Sequence, residues 1–159
     1  MRSPGHPSSL PASVNPSRDA DDLPQPAMPP LILVAEDNDD NRLIATAMLR
    51  HAGFRVIEAL SGAEVVRMAQ VDHPDLILMD VGLPDVDGWA ATRSIKADPL
   101  TRDILIIAFT AHALPGDRIL ARDAGCDGYL AKPVELVRLV REVRDTLAAR
   151  TTANDRSAH

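Results

Sequence analysis

From about residue 31 onward, short apolar runs alternate with longer amphipathic stretches. Leu31–Ala35 is an apolar run that ends in acids and reads as a strand. Asp40–His51 has helical spacing through Leu43, Ala47 and Met48 and stops at Gly53, a glycine suited to a helix C-terminus. Phe54–Glu58 reads as a second strand. Ser61 with Glu64 forms a capping box that opens a helix to about Asp72. Asp75–Met79 reads as a third strand, and a loop with Pro84 leads into a helix over Gly88–Ala97. Ile104–Phe109 is a fourth strand, Asp117–Ala124 a short helix stopped by Gly125, and Gly128–Leu130 a brief fifth strand. Val134–Ala149 closes the series as a helix with Leu136, Val140, Val143 and Leu147 on one face.

The third and fourth strands are continuously apolar rather than alternating, as strands buried on both faces are. Parallel strands need crossover helices, and the chain supplies one each time. The expected fold class is therefore α/β, a doubly wound parallel sheet of five strands. Ligands of such sheets sit beyond the carboxyl ends of the strands, where the winding reverses.

Composition adds boundaries and exclusions. Eight of the 13 prolines fall within residues 1–30, a stretch too poor in apolar surface to offset the entropy of ordering it. The chain thus divides into a Pro/Ser-rich tail over 1–29, a folded unit over 30–149 and a polar tail over 150–159, with both tails expected to be disordered. Met28, just ahead of the first strand, offers a second start point. A formal net charge of -6 argues against direct nucleic-acid binding, which needs a basic footprint. No apolar run reaches the roughly 20 residues of a membrane helix. The lone Cys126 cannot form an internal disulfide, so a cytoplasmic, reducing location is expected.

The polar residues then fall on one edge of that frame. Glu36 and Asp37 end the first strand, Asp80 the third and Thr110 the fourth, and Lys132 follows the fifth. If the first and third strands are neighbours, three carboxylates share a crevice. Like charges so close either raise one another's pKa or are compensated by a cation. Oxygen-only ligands on a shallow rim suit a hard divalent ion that keeps some of its water, which points to Mg2+. A metal and an ammonium group around one carboxylate are the parts phosphoryl transfer needs, with the carboxylate as nucleophile. Glu36 and Asp37 alone would read as a helix start, with Asp39 or Asp40 as the cap.

Four segments carry a resemblance. They are Val34-Ala35-Glu36-Asp37-Asn38; Pro74 through Asp80 with Leu83-Pro84 and Asp87-Gly88; Ala108-Phe109-Thr110-Ala111; and Gly125 through Pro133. In this order and spacing they resemble the receiver domain of response regulators, across about residues 30–148. The resemblance implies a flavodoxin-like (βα)5 fold with strand order 2-1-3-4-5. It implies Asp80 as the phospho-acceptor, with Mg2+ held by Asp37, Asp80 and the backbone carbonyl of Gly82, and by Glu36 mostly through water. It further implies that Thr110 and Lys132 bind the phosphoryl group, that Tyr129 is the switch aromatic, and that Lys132–Pro133 is cis. Gly82 and His112 occupy positions that set phosphoryl lifetime in this family, and Gly82 offers no side chain. The implied partners are a histidine kinase or histidine phosphotransfer protein and a downstream protein on the helix 4–strand 5–helix 5 surface. The implied state is a monomer or a phosphorylation-dependent dimer.

Two other readings compete with this switch. A Mg2+-dependent phosphohydrolase with an aspartyl-phosphate intermediate, of the haloacid-dehalogenase type, would carry an acid two residues after the nucleophile, where Gly82 stands here. A receiver-like scaffold that is never phosphorylated would not need the full set of acceptor, acids, Thr110 and Lys132. The ten residues after the last helix leave no room for an output domain, so output is expected through protein contacts or onward phosphotransfer. Cys126 reads as a small buried residue, and Trp89 as packing at the start of the third helix. Arg138, Arg141 and Arg144 read as a solvated stripe on the last helix.

Overall fold

A computed structural model describes residues 28–111 and 114–157, with side chains as far as Thr152. The tail expected over 1–29 lies outside the described residues save for Met28 and Pro29, and His112 lies outside them too. The elements run β1 (Leu31–Ala35), α1 (Asp39–His51), β2 (Arg55–Ala59), α2 (Gly62–Asp72) and β3 (Leu76–Asp80). They continue with α3 (Gly88–Ala97), β4 (Leu105–Thr110), α4 (Asp117–Ala124), β5 (Gly128–Ala131) and α5 (Leu136–Ser157). The strands are all parallel, in the order β2-β1-β3-β4-β5.

Side chains that alternate along each strand feed two cores. On one face Ile32, Val34, Leu76, Leu78 and Ile107 pack with Ala45 and Leu49 of α1 and Leu139 and Val143 of α5. On the other, Leu33, Ala35, Ile77, Met79 and Ile106 pack with Val65 and Ala69 of α2 and Ala91 and Ile95 of α3. Burial on both faces explains why β3 and β4 are apolar throughout.

Several local readings are corrected. The α1 cap is Asn38, whose side chain accepts from Asn41 N, and not Asp39 or Asp40. Asp39 instead pairs with Arg42 within the first turn. The buried stripe of α1 runs through Ala45 and Leu49, while Leu43 is 67% exposed. On α5 the deepest apolar residues are Leu139 and Val143, and Leu136 is 39% exposed. That helix also runs past Ala149 to Ser157, into the stretch read as a tail. Neither glycine nor proline interrupts residues 149–157. The Thr151 and Thr152 hydroxyls donate to the carbonyls of Leu147 and Ala148, and Arg150 reaches Asp75 at 3.3 Å. Ser61 accepts from Glu64 N as expected, but Glu64 answers to Leu60 N rather than to Ser61 N. Glycines 53 and 125 adopt the positive φ that ends their helices.

Candidate functional site

Strand register builds the site. Ala35 pairs with Met79, so Glu36 emerges beside Asp80. Asp80 itself pairs with Phe109, and Thr110 pairs with Ala131, which places Lys132 one step further along the same edge. The reversal of winding lies between β1 and β3, and the acids stand at that crevice. One carboxylate oxygen each from Glu36, Asp37 and Asp80 lies within 4.8 Å of the others.

Exposure grades across the cluster. Glu36 is 3% exposed, Asp80 9%, and Asp37 is open to solvent. Lys132 Nζ donates to Glu36 Oε1 and lies 3.5 Å from Asp80 Oδ2, and it also sits 4.8 Å from the centre of the Phe109 ring. Asp80 Oδ1 accepts from Gly82 N at 3.0 Å, and Glu36 Oε2 accepts from Asn38 N at 3.3 Å. Burial, and then the hydrogen-bonded Asp80 carboxylate, push the Glu36 carboxyl up to about 7, although Lys132 pulls the other way. One ammonium group therefore does not compensate three acids, and the cluster favours further positive charge. The donor set fits a small hard cation, because every ligand is oxygen and Asp37 faces water.

The loop from Val81 to Asp87 holds the acceptor in place, and its anchors carried no role in the sequence reading. Gly88 N donates to Val81 O, and a Cβ at Gly88 would stand 2.5 Å from Asp80 O. A Cβ at Gly62 would stand 1.9 Å from Val86 O. Asp85 adopts φ 64 and accepts from both Gly62 N and Val86 N. The Pro84-Asp85 pair is a turn signal that could have marked this loop. Its docking on α2 has no local signature.

Thr110 is 4% exposed at the end of β4, and Tyr129 lies half-buried on β5. The Arg118 guanidinium of α4 covers the Tyr129 ring at 4.9 Å. Burial, then nearby Asp117, raise the Tyr129 hydroxyl above its ordinary range, and Arg118 opposes them. The Lys132–Pro133 bond is cis.

The family model of the response regulator receiver domain matches residues 32–144. The chain belongs to the receiver family of response regulators. Polar-differentiation response regulator DivK of Brucella ovis is 36% identical over 116 residues, which are 73% of this chain and 94% of that protein. The receiver domain of sensor histidine kinase PA1611 from Pseudomonas aeruginosa PAO1 was crystallised with a magnesium ion coordinated in its active site cleft. It is 42% identical, covers 76% of this chain and 98% of its own, and aligns with a TM-score of 0.71. The signal receiver domain of a signal transduction histidine kinase from Syntrophus aciditrophicus is 31% identical, covers 76% of this chain and 91% of its own, and has a TM-score of 0.70. This chain is a receiver domain of two-component signalling, and its strand order is the flavodoxin-like one. Among the described residues, no helix is long and apolar enough to cross a membrane.

Proposed function

We propose that Asp80 accepts a phosphoryl group from a phosphohistidine of a histidine kinase or phosphotransfer protein. The observation that carries this reading is the placement of Asp80: a nearly buried carboxylate at the crevice, 3.5 Å from Lys132 Nζ and clustered with Glu36 and Asp37. An Asp80 oxygen attacks phosphorus while the P–N bond breaks, and the electron pair leaves on the donor imidazole, which then takes up a proton. Asp37, Asp80 and the Gly82 carbonyl would hold Mg2+, with Glu36 acting mostly through water. When bound, the ion neutralises charge that builds on the phosphoryl oxygens. Lys132 pairs with one phosphoryl oxygen and Thr110 hydrogen-bonds another.

Thr110 and Tyr129 form the switch in this reading. Phosphorylation adds about two negative charges at Asp80. Thr110 moves toward them, and the Tyr129 ring turns inward behind it. The α4–β5–α5 surface changes shape for a downstream protein, a two-state element biased by local charge. The chain works in the cytoplasm, where its kinase presents the phosphohistidine.

Incubation with a small phosphodonor and Mg2+, followed by intact-mass measurement, tests the acceptor. The expected result is one phosphate-sized gain that Asp80→Asn abolishes. An equal gain in Asp80→Asn would overturn it. Rapid multiple turnover of phosphate esters would favour a phosphohydrolase, and no gain in the parent protein a scaffold.

A further inference from the structure

A groove of about 560 Å³ lies between α1 and α5, on a face the phosphorylation chemistry does not use. Its apolar lining includes Met48, Val137 and Val140, and Val137 is 66% exposed. Its charged lining is Arg141 and Arg144 against one acid, Asp145, with His51 beside them. A chain with a formal net charge of -6 thus presents a basic rim over an apolar floor here. Such a surface fits an acidic segment that carries an apolar residue.

The chain itself carries such a segment. Residues 19–23 read Asp-Ala-Asp-Asp-Leu. The described chain starts beside Arg55, next in sequence to the Phe54 ring under Arg144, which lines the groove with Ala52. Arg55 Nε donates to Pro29 O at 2.8 Å, and Arg55 N donates to Pro30 O. The preceding residue, Phe54, lies under the Arg144 guanidinium at 6.0 Å. Asp22 precedes Met28 by six residues, a reach of at most roughly 20 Å. A tether this short holds the acids at an effective concentration on the order of millimolar, so a contact too weak to bind in trans is occupied in cis.

We propose that residues 19–23 of this chain occupy the α1–α5 groove, with the acids on its basic rim and Leu23 on its apolar floor. The arm is then a built-in competitor for any acidic partner of that face. This inference is independent of the role assigned to Asp80.

The test is paramagnetic broadening in the full chain, with Cys126→Ala and a nitroxide on Ala20→Cys. The expected result is loss of amide signal at His51, Ala52 and Val140–Asp145, relative to the reduced label. Arg144 also bonds the Ala52 carbonyl, so charge is reversed at Arg141, which leaves that contact intact. Arg141→Glu should weaken the broadening, and adding Asp19→Lys, Asp21→Lys and Asp22→Lys should restore it. Salt at 1 M, which shortens the screening length to about 3 Å, should also weaken it. Undiminished amide signals at these positions in a well-dispersed spectrum would overturn the proposal. So would broadening seen only when the nitroxide is on a second copy, which makes the occupant another molecule. Groove signals that respond only to an acidic peptide added in trans would overturn it as well.

Discussion

Three carboxylates within 4.8 Å of one another repel when no cation stands among them. Asp37 contributes charge but no hydrogen bond to Lys132, and it faces solvent. Asp37→Asn should therefore relieve repulsion and stabilise the metal-free protein, by on the order of 0.5–1 kcal/mol after solvent screening. The same change should weaken Mg2+ binding at least about tenfold. Thermal melts with and without Mg2+ read both effects, and a metal-free melt lowered by Asp37→Asn would refute the repulsion argument. Cys126 lies on the α2–α3 side of the sheet, and burial pushes its thiol up from 9.0 to about 11, offset in part by the nearby Thr92 hydroxyl. The folded state holds this proton more tightly than the unfolded one. The stabilisation is thus present below about pH 9 and is lost as pH rises through about 11. At pH 8 the folded thiol should react with iodoacetamide about a hundredfold more slowly than in urea, because the thiolate is the nucleophile. Equal rates would show an open thiol.

Elements were legible where stop signals are local and obscure where packing decides. The glycines at 53 and 125 ended their helices as expected, since a left-handed residue is a requirement of the backbone itself. The buried face of α1 differs from the expected one because Leu, Ile, Ala and Met occur on more than one of its faces. Two apolar stripes fit the period, and contact with the β1 and β3 side chains selects the one through Ala45 and Leu49. The end of α5 lies beyond the expected one because a polar composition without glycine or proline is no stop signal. The acceptor loop shows the same limit: its glycines are visible, but the backbone they must approach is not. Gly88→Ala forces a Cβ to within 2.5 Å of Asp80 O and 2.6 Å of Val81 Cα, where only backbone can yield. It should cost roughly 1–3 kcal/mol and slow phosphorylation by displacing Asp80. Gly82→Ala is the matched control for stability alone, because its Cβ meets only Asp80 Oδ1 at 3.7 Å, an ordinary contact. Chemical denaturation of both variants and a phosphodonor time course on Gly88→Ala check this. A Gly88→Ala protein as stable as Gly82→Ala would contradict the packing argument.

Across the whole molecule, the two edges of the sheet divide the labour. The acids, Thr110 and Lys132 were legible together because a parallel sheet sends every strand's carboxyl end to one edge. What residue spacing left open was strand order, which depends on contacts between distant segments, and the family resemblance supplied it. The opposite edge holds a staple that the sequence reading passed over. Asp75 Oδ2 accepts from Leu31 N at 2.8 Å, Oδ1 meets Arg150 of α5 at 3.3 Å, and its backbone joins Leu31 and Leu105. One residue thereby ties β1, β3, β4 and α5 together at the end remote from Asp80. Asp75→Ala leaves the Leu31 amide with no side-chain acceptor and frees Arg150. It should cost roughly 1–3 kcal/mol. Phosphorylation per folded molecule should be unchanged, because no group at the carboxyl edge has moved. Asp80→Asn should do the reverse, keeping the fold and losing the phosphate. Denaturation curves paired with intact-mass phosphorylation separate the two edges. A folded Asp75→Ala protein that phosphorylates slowly would mean that the sheet couples its edges and that stability and chemistry are not divided between them.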